Sequence, residues 1–386
     1  MTNPLRVLFL SHSPNDPNGG ASRIYHMLAE ALTARGHSIS LFHQQDFGLP
    51  GNRKLSLAAQ RFAMPRYVSA FGRRLDWQSY DVIMSSSGMA APLFRRLRRE
   101  SKRPLLVNHL HGLCVYDHLA NTSESLIGNW KTSLLNRYLS GPIQIGWDNA
   151  GIASGDLTIV QNMRDLGWVK PRLPAHSAVT MISAAVHPEL LDASETYAPP
   201  QTRAPGDILW FASWESRKGS YYVPAAFRKL RETYPEARLT IGGTGMSHEA
   251  LASQFDPLDR ANIKVLPRIS IDEQIKLFNQ SSIFLFPSLS EGFGLALAEA
   301  MCFGLAAVTT STAFGGDELI DGQSARIVFP SSEHIARALI ELMASTETRI
   351  RIAEAGRTIA KRFTMDRMVD EYERVFRELR STVQPS

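Results

Sequence analysis

The stretch PSLSEGFGLALAEAMCFGLAAVTT, from Pro287 to Thr310, holds residue types that can bind an anion next to hydroxyl groups. An apolar run ends at Pro287, a polar loop containing glycine follows, and the pattern predicts a helix that begins near Gly294 or Leu295 and carries Glu299. A helix start presents unpaired backbone N–H groups, and glycine lets a phosphate approach the main chain closely. Glu291 in the loop and Glu299 in the helix are separated by seven residues, so one carboxylate sits at the helix mouth and the other about two turns along. Carboxylates are poor phosphate ligands but good hydroxyl acceptors, which makes sugar and ribose hydroxyls their natural partners. Taken alone, the same loop is a structural turn and Glu299 a capping or ion-pairing residue.

Three further groups are candidates. In FASWESRKGSYYVPAAF (211–227) a strand ends in a short loop with Arg217 and Lys218, cations that can neutralise a diphosphate; an isolated lysine in a loop is more often simply solvated. Gly19 and Gly20, in the loop SHSPNDPNGG after the first apolar run, permit close backbone approach or a flexible turn. His111-Gly112 follows the run PLLVNHL, with His109 and His118 close by as decoys, and a lone histidine is more often structural than catalytic. The sequence contains no Asp-x-Asp pair, no Walker A loop and no G-x-G-x-x-G after the first strand, so neither a metal nor a nicotinamide cofactor is expected.

These residues need a scaffold. Val7–Leu10 and Ile39–Phe42 bracket a helical stripe of Ile24, Met27, Leu28 and Leu32 that stops at Gly36, the opening of a doubly wound α/β sheet. DVIMS (81–85), PLLVNHL (104–110), LTIVQ (157–161) and AVTMIS (178–183) suit further buried strands. ETYAPPQTRAPGD (195–207) has the Pro, Gly and polar content of a linker. A second strand series follows at DILWFAS (207–213), ARLTIGG (237–243), IKVLP (263–267), IFLFPS (283–288) and AAVTT (306–310). The chain closes on a helix whose Met368, Tyr372, Val375, Phe376 and Leu379 form one apolar stripe. The expected division is a Rossmann-like domain at 1–194, a linker at 195–206, a second Rossmann-like domain at 207–363 and a terminal helix at 364–386. Two such sheets facing across a cleft would bind ligands at the carboxyl ends of their strands.

With 386 residues, 44% hydrophobic and 20% charged, the chain is globular, and disordered or fibrous classes are excluded. Cys114 and Cys302 fit neither a disulfide framework nor a zinc site, which suits a reducing compartment, and the start MTNPLRVLFLSHS lacks the layout of a secretory leader. A cytoplasmic protein is expected. The net charge of +5 is unevenly spread: Arg53 to Arg103 holds twelve Lys/Arg against Asp76, Asp81 and Glu100. That block can dock on an anionic membrane surface from the cytoplasmic side, or form solvated helix faces; no nucleic-acid module accompanies it, so nucleic acid is not an expected partner.

The segment 287–310 resembles the E-x7-E signature of retaining GT-B glycosyltransferases, family 4 in particular. The resemblance implies a GT-B fold, with the terminal helix 364–386 packing back on the first domain, and transfer of a hexose-type sugar, with retention, from a UDP- or GDP-sugar to a glycan or lipid-linked acceptor in polysaccharide synthesis. With no metal motif in the chain, that transfer is expected to be metal-independent. By the same resemblance Glu291 contacts the donor sugar and Glu299 the ribose, and the backbone at Phe293, Gly294 and Leu295 lies near sugar and diphosphate. Lys218-Gly219 matches the family's diphosphate clamp, with Ser213 at the usual Arg position and Arg217 as its substitute. Gly20 falls near the donor phosphate and His111 near the transferred sugar. FGGDELIDG (314–322) matches a family segment given a structural role, whereas Ala184-Ala185 replaces the usual Asn-Gly turn. The alternatives are a nucleotide-sugar epimerase of the same fold and a catalytically silent scaffold; retention of both glutamates argues against the scaffold.

Overall fold

The computed structural model describes residues 3–17 and 19–383; of the loop SHSPNDPNGG, Asn18 lies outside the described residues. Two compact units are formed. One comprises Met1–His118, Thr132–Ala185 and Met365–Ser386, the other Leu119–Lys131 and Val186–Thr364.

The first unit is built on six parallel strands, β1 (Arg6–Leu10), β2 (Ser38–Phe42), β3 (Val82–Ser86), β4 (Leu105–His109), β5 (Leu157–Val160) and β6 (Ala178–Met181), in the order β2-β1-β3-β4-β5-β6. Strand pleating sends alternate residues to opposite faces. Val7, Phe9, Val82 and Met84 therefore enter one core layer, and Leu8, Leu10 and Ile83 the other. Both faces are covered by helices, which is why these strands read as unbroken apolar runs. The terminal helix Met365–Val383 lies in this unit, and its Met368, Val375 and Phe376 are 0–4% exposed in the same layer as Val7 and Phe9. Burial of each such side chain contributes ~1.5–3 kcal/mol. Arg35 grips the helix from outside by pairing with Asp366, Asp370 and Glu373.

The second unit repeats the plan with β7 (Asp207–Phe211), β8 (Arg238–Gly242), β9 (Ile263–Leu266), β10 (Ile283–Phe286), β11 (Ala306–Thr309) and the two-residue β12 (Arg326–Ile327), all parallel. Their order, β12-β11-β10-β7-β8-β9, is that of a dinucleotide-type doubly wound sheet. Residues 195–206, linker-like in composition, are packed onto this unit rather than free of it. The Arg203 guanidinium, 6% exposed, donates to the carbonyls of Ser281 (2.9 Å), Phe303 (2.6 Å) and Ala198, and Tyr197 Oη donates to Glu354 at 2.9 Å. One buried cation satisfying three carbonyls holds the segment, a feature that Pro and Gly content does not reveal. The excursion Leu119–Lys131 also joins this unit: Tyr222 Oη donates to Glu124 at 2.7 Å.

Candidate functional site

In an open parallel sheet, ligands bind beyond the carboxyl ends of strands where the winding reverses. In the second unit that point lies between β7 and β10, which are neighbours in the sheet. The loop after β7 carries Arg217 and Lys218, and the loop after β10 carries Glu291. Lys218 Nζ lies 2.6 Å from Glu291 Oε1, and both side chains are about nine-tenths buried, at 12% and 8% exposure. Two residues 73 positions apart are thereby joined.

The backbone enforces this contact. Leu289 N and Ser290 N both donate to the carbonyl of Arg217, at 2.7 and 3.3 Å, stitching one loop to the other. Gly219 closes the turn Ser216–Lys218 with φ +69°, and a Cβ there would stand 2.1 Å from the Pro287 carbonyl oxygen. Only glycine meets both demands. Ser288 Oγ donates to Glu291 Oε1 at 2.6 Å, and the Ser288 carbonyl accepts from Thr310 and Thr312 Oγ1, the latter at 3.4 Å. Burial opposes ionisation of Glu291, but the Lys218 ammonium, then Arg217 and Ser288, hold its carboxyl below the ordinary value. The group is a carboxylate at neutral pH. Arg217 Nε, half-buried, contacts Glu215 at 3.0 Å.

The helix Leu295–Cys302 starts at Gly294, which caps it in the left-handed region at φ +100°. Phe293 is 3% exposed, its ring packed on Phe314 and Phe363 with centroids 5.4 and 5.2 Å away, while its carbonyl accepts from Phe314 N at 2.9 Å. That interlock gives the 314–322 segment its place. Ala313, just before it, stands at φ +45°, a strained setting for a residue with a Cβ. Glu299 is wholly buried, and Gln274 Nε2 from the helix Ile271–Gln280 donates to its Oε2 at 3.1 Å. Of the residues singled out in the sequence, Arg217, Lys218 and Glu291 thus fall on the loops after β7 and β10, Gly294 at the start of the helix that follows, and Glu299 inside that helix. Ser288, Thr310 and Gln274 were missed there, since hydroxyl and amide side chains carry no distinctive sequence signal.

Gly20 and His111 belong to the first unit. Its winding reverses between β1 and β3, and there His12 Nδ1 meets Ser86 Oγ at 2.6 Å, a contact the sequence did not flag. Gly20 is the first residue of the helix Gly20–Ala34, and a Cβ on it would touch nothing within 4 Å. That helix carries Tyr25, whose ring lies edge-on to His111 at 5.1 Å. His109 sits 4.1 Å from His111, centroid to centroid, and is held by Tyr372 Oη at 3.0 Å. Both ring nitrogens of His111 are shielded from solvent and have no hydrogen-bond partner among the described residues. Burial first, then His109 and His12, keeps the His111 imidazole far below its usual pKa; burial brings His109 to about 3 and His12 to about 4. These rings are neutral hydrogen-bonding groups, not cations. His118 packs under Gly141, where an added Cβ would lie 2.2 Å from its Nδ1, a structural position. Among the described residues no group of three or more His, Cys, Asp or Glu is arranged to hold a metal ion.

Two family models cover most of the chain: the group 1 glycosyl transferases match residues 203–359, and the glycosyl transferase 4-like domain matches residues 19–139. The chain is a glycosyltransferase whose residues 203–359 form a group 1 glycosyl transferase domain. Over 393 aligned residues it is 24% identical to the uncharacterized glycosyltransferase YqgM of Bacillus subtilis, covering 96% of this chain and 98% of that one. Its fold is shared with sucrose-phosphate synthase from Thermosynechococcus elongatus (TM-score 0.76, 16% identity, 98% and 100% coverage). It is shared too with Alr3699/HepE of Anabaena, solved in complex with UDP and glucose (TM-score 0.65, 18% identity, 97% and 100% coverage). This glycosyltransferase therefore has the GT-B fold class expected from its sequence, two Rossmann-like sheets in one chain.

Proposed function

We propose that the protein transfers a hexose-type sugar, with retention and without a metal, from a UDP- or GDP-sugar to a glycan or lipid-linked acceptor. The observation that carries this reading is the buried Lys218–Glu291 pair at the winding reversal of the second sheet. In the free enzyme the ammonium is held by the carboxylate. An arriving diphosphate competes for Lys218, with Arg217 and the Gly294 helix start adding positive potential, and Glu291 turns its oxygens to the hydroxyls of the sugar. Glu299 takes the ribose hydroxyls, and the backbone at Phe293, Gly294 and Leu295 lines the sugar and diphosphate. On the first unit, the neutral His111 imidazole is a hydrogen-bonding group with no partner among the described residues, and the helix start at Gly20 is open.

The chemical step breaks the bond between the anomeric carbon and the diphosphate oxygen and forms one to the acceptor oxygen on the same face. The acceptor's proton passes to the departing phosphate, and Lys218 stabilises the charge left there. A UDP- and glucose-bound structure of a protein with the same fold supports a nucleotide-sugar donor. The excess of basic residues in 53–103 supports docking at an anionic membrane surface to reach a lipid-linked acceptor; among the described residues no helix is long and apolar enough to cross a membrane.

The test is nucleotide release from UDP-, GDP- and ADP-sugars, with and without EDTA, coupled to analysis of the sugar product. Slow EDTA-resistant release from one donor is expected. Release abolished by EDTA overturns metal independence, a converted donor with no release favours an epimerase, and absence of both turnover and nucleotide binding sinks the reading.

A further inference from the structure

The first unit contains a concavity with no role in the donor side. The end of the helix Arg53–Phe62, the start of Met64–Gly72, the turn after β3, the helix Ala91–Leu97 and the middle of Gly141–Ser154 line a half-open concavity of about 290 Å³. Its walls are apolar, from Phe62, Pro65, Pro92 and the half-buried Trp147, and two exposed arginines, Arg66 and Arg95, also line it. Gly88, two residues past the end of β3, sets the floor: a Cβ on it would stand 1.8 Å from the Trp147 carbonyl oxygen, so only glycine lets the helix settle there. Gly88 N is also fixed by Asn108 Oδ1 at 2.8 Å. The cavity is therefore preformed, at the carboxyl edge of a strand flanking the winding reversal.

Its charge is unbalanced. Among the described residues neither Arg66 nor Arg95 has a carboxylate within ion-pair distance. Among the described residues, Arg98 and Arg103 are the only members of the surrounding basic block that are paired, both to Asp156, while Asp81 is engaged by Arg6 and Arg380 from outside the block. On the adjoining helix Arg53–Phe62, Leu55 and Leu57 are 61% and 45% exposed. Guanidinium groups bind phosphate with paired charge-assisted hydrogen bonds. An occupant that satisfies both the cations and the apolar walls carries an anionic group, such as a phosphate, and a hydrocarbon together.

We propose that this cavity binds the phosphate-bearing head of a lipid-linked acceptor, gripped by Arg66 and Arg95 with its first apolar segment against Trp147 and Phe62. The inference rests on the glycosyl-transfer reading for its purpose, but not for its test. Full-length protein is sedimented with phosphatidylcholine vesicles, with and without added phosphatidic acid. Two variants each remove two positive charges: Arg66→Gln/Arg95→Gln inside the cavity and Arg73→Gln/Arg74→Gln outside it. Both sites are exposed, and thermal melting verifies that each variant is folded.

Wild-type protein is expected to bind only the phosphatidic acid vesicles, and the cavity pair to weaken binding roughly tenfold more than the outside pair. Trp147→Phe identifies the fluorescence change that accompanies binding. Equal losses in the two variants would mean diffuse surface attraction and overturn the site. Inorganic phosphate or glycerol phosphate evoking the Trp147 signal as strongly as the vesicles would overturn the lipid assignment, and no vesicle binding would overturn both. Because sedimentation needs no sugar donor, a wild-type protein that fails to bind nucleotide sugar sinks the transfer reading while leaving the vesicle result to be judged by itself.

Discussion

Replacement of Glu291 by Gln is expected to move binding and turnover in opposite directions. The change keeps the shape and the oxygen facing Ser288 but removes the charge facing Lys218. At the observed 2.6 Å, an effective dielectric constant near 20 gives ~6 kcal/mol of attraction. Desolvation of both groups offsets much of that, so loss of one partner costs a net ~3–5 kcal/mol in the ligand-free state. The second unit should melt earlier, as followed by fluorescence of its buried Trp210 and Trp214. The ammonium then meets a diphosphate without the Glu291 carboxylate competing for it. One charge-assisted hydrogen bond is worth ~1.5 kcal/mol, so the nucleoside diphosphate should bind about tenfold more tightly by calorimetry. Sugar transfer should nonetheless fall ~100-fold, the usual scale for losing one positioned polar group at the reacting centre. Weaker diphosphate binding with turnover unchanged would refute both the pairing and the role given to Glu291.

Three other outcomes follow from the geometry. Glu299→Ala leaves Gln274 facing a buried void and removes the acceptor assigned to ribose, so nucleotide affinity should fall about tenfold with a smaller change in kcat; an unchanged Kd removes that assignment. Gly219→Ala forces a Cβ into the left-handed region and against the Pro287 carbonyl, and should cost ~2–4 kcal/mol in denaturant unfolding while weakening diphosphate binding. Asp148, buried beneath Cys114 N at 2.8 Å, has its pKa raised by burial to about 7 from 3.8. Between those values the native carboxyl keeps a proton that the unfolded chain has lost, so this group's contribution to stability declines as pH rises through the window. Asp148→Asn lacks that decline and should gain up to ~4 kcal/mol relative to wild type between pH about 4 and about 7. A stability difference that is flat with pH would show that Asp148 is ionised throughout.

Much of the architecture is legible in the chain because it is dictated locally. Eleven of the strands coincide with apolar runs that stand out as such, since a strand covered on both faces has no polar phase, whereas the two-residue β12 is too short to leave a pattern. The stripe on Met365–Val383 likewise announces a helix that must cover a surface, though not which surface. Residues 195–206 have the prolines and glycine of a linker, and Arg203 ties them to the second unit through carbonyls that no sequence pattern advertises.

By itself the sequence determined the spacing of Glu291 and Glu299, the Lys218-Gly219 step and the basic excess of 53–103, because each is a matter of residue types along one stretch of chain. Only the tertiary structure decided that Lys218 closes on Glu291, that Ser288 and Gln274 hold the two glutamates, and that His12 meets Ser86. The physical reason is strand order. The parallel sheets set β7 beside β10, and β1 beside β3, bringing loops far apart in sequence to one edge. Burial there then sets the charge states, an ionised Glu291 and a neutral His111, that residue type alone leaves open.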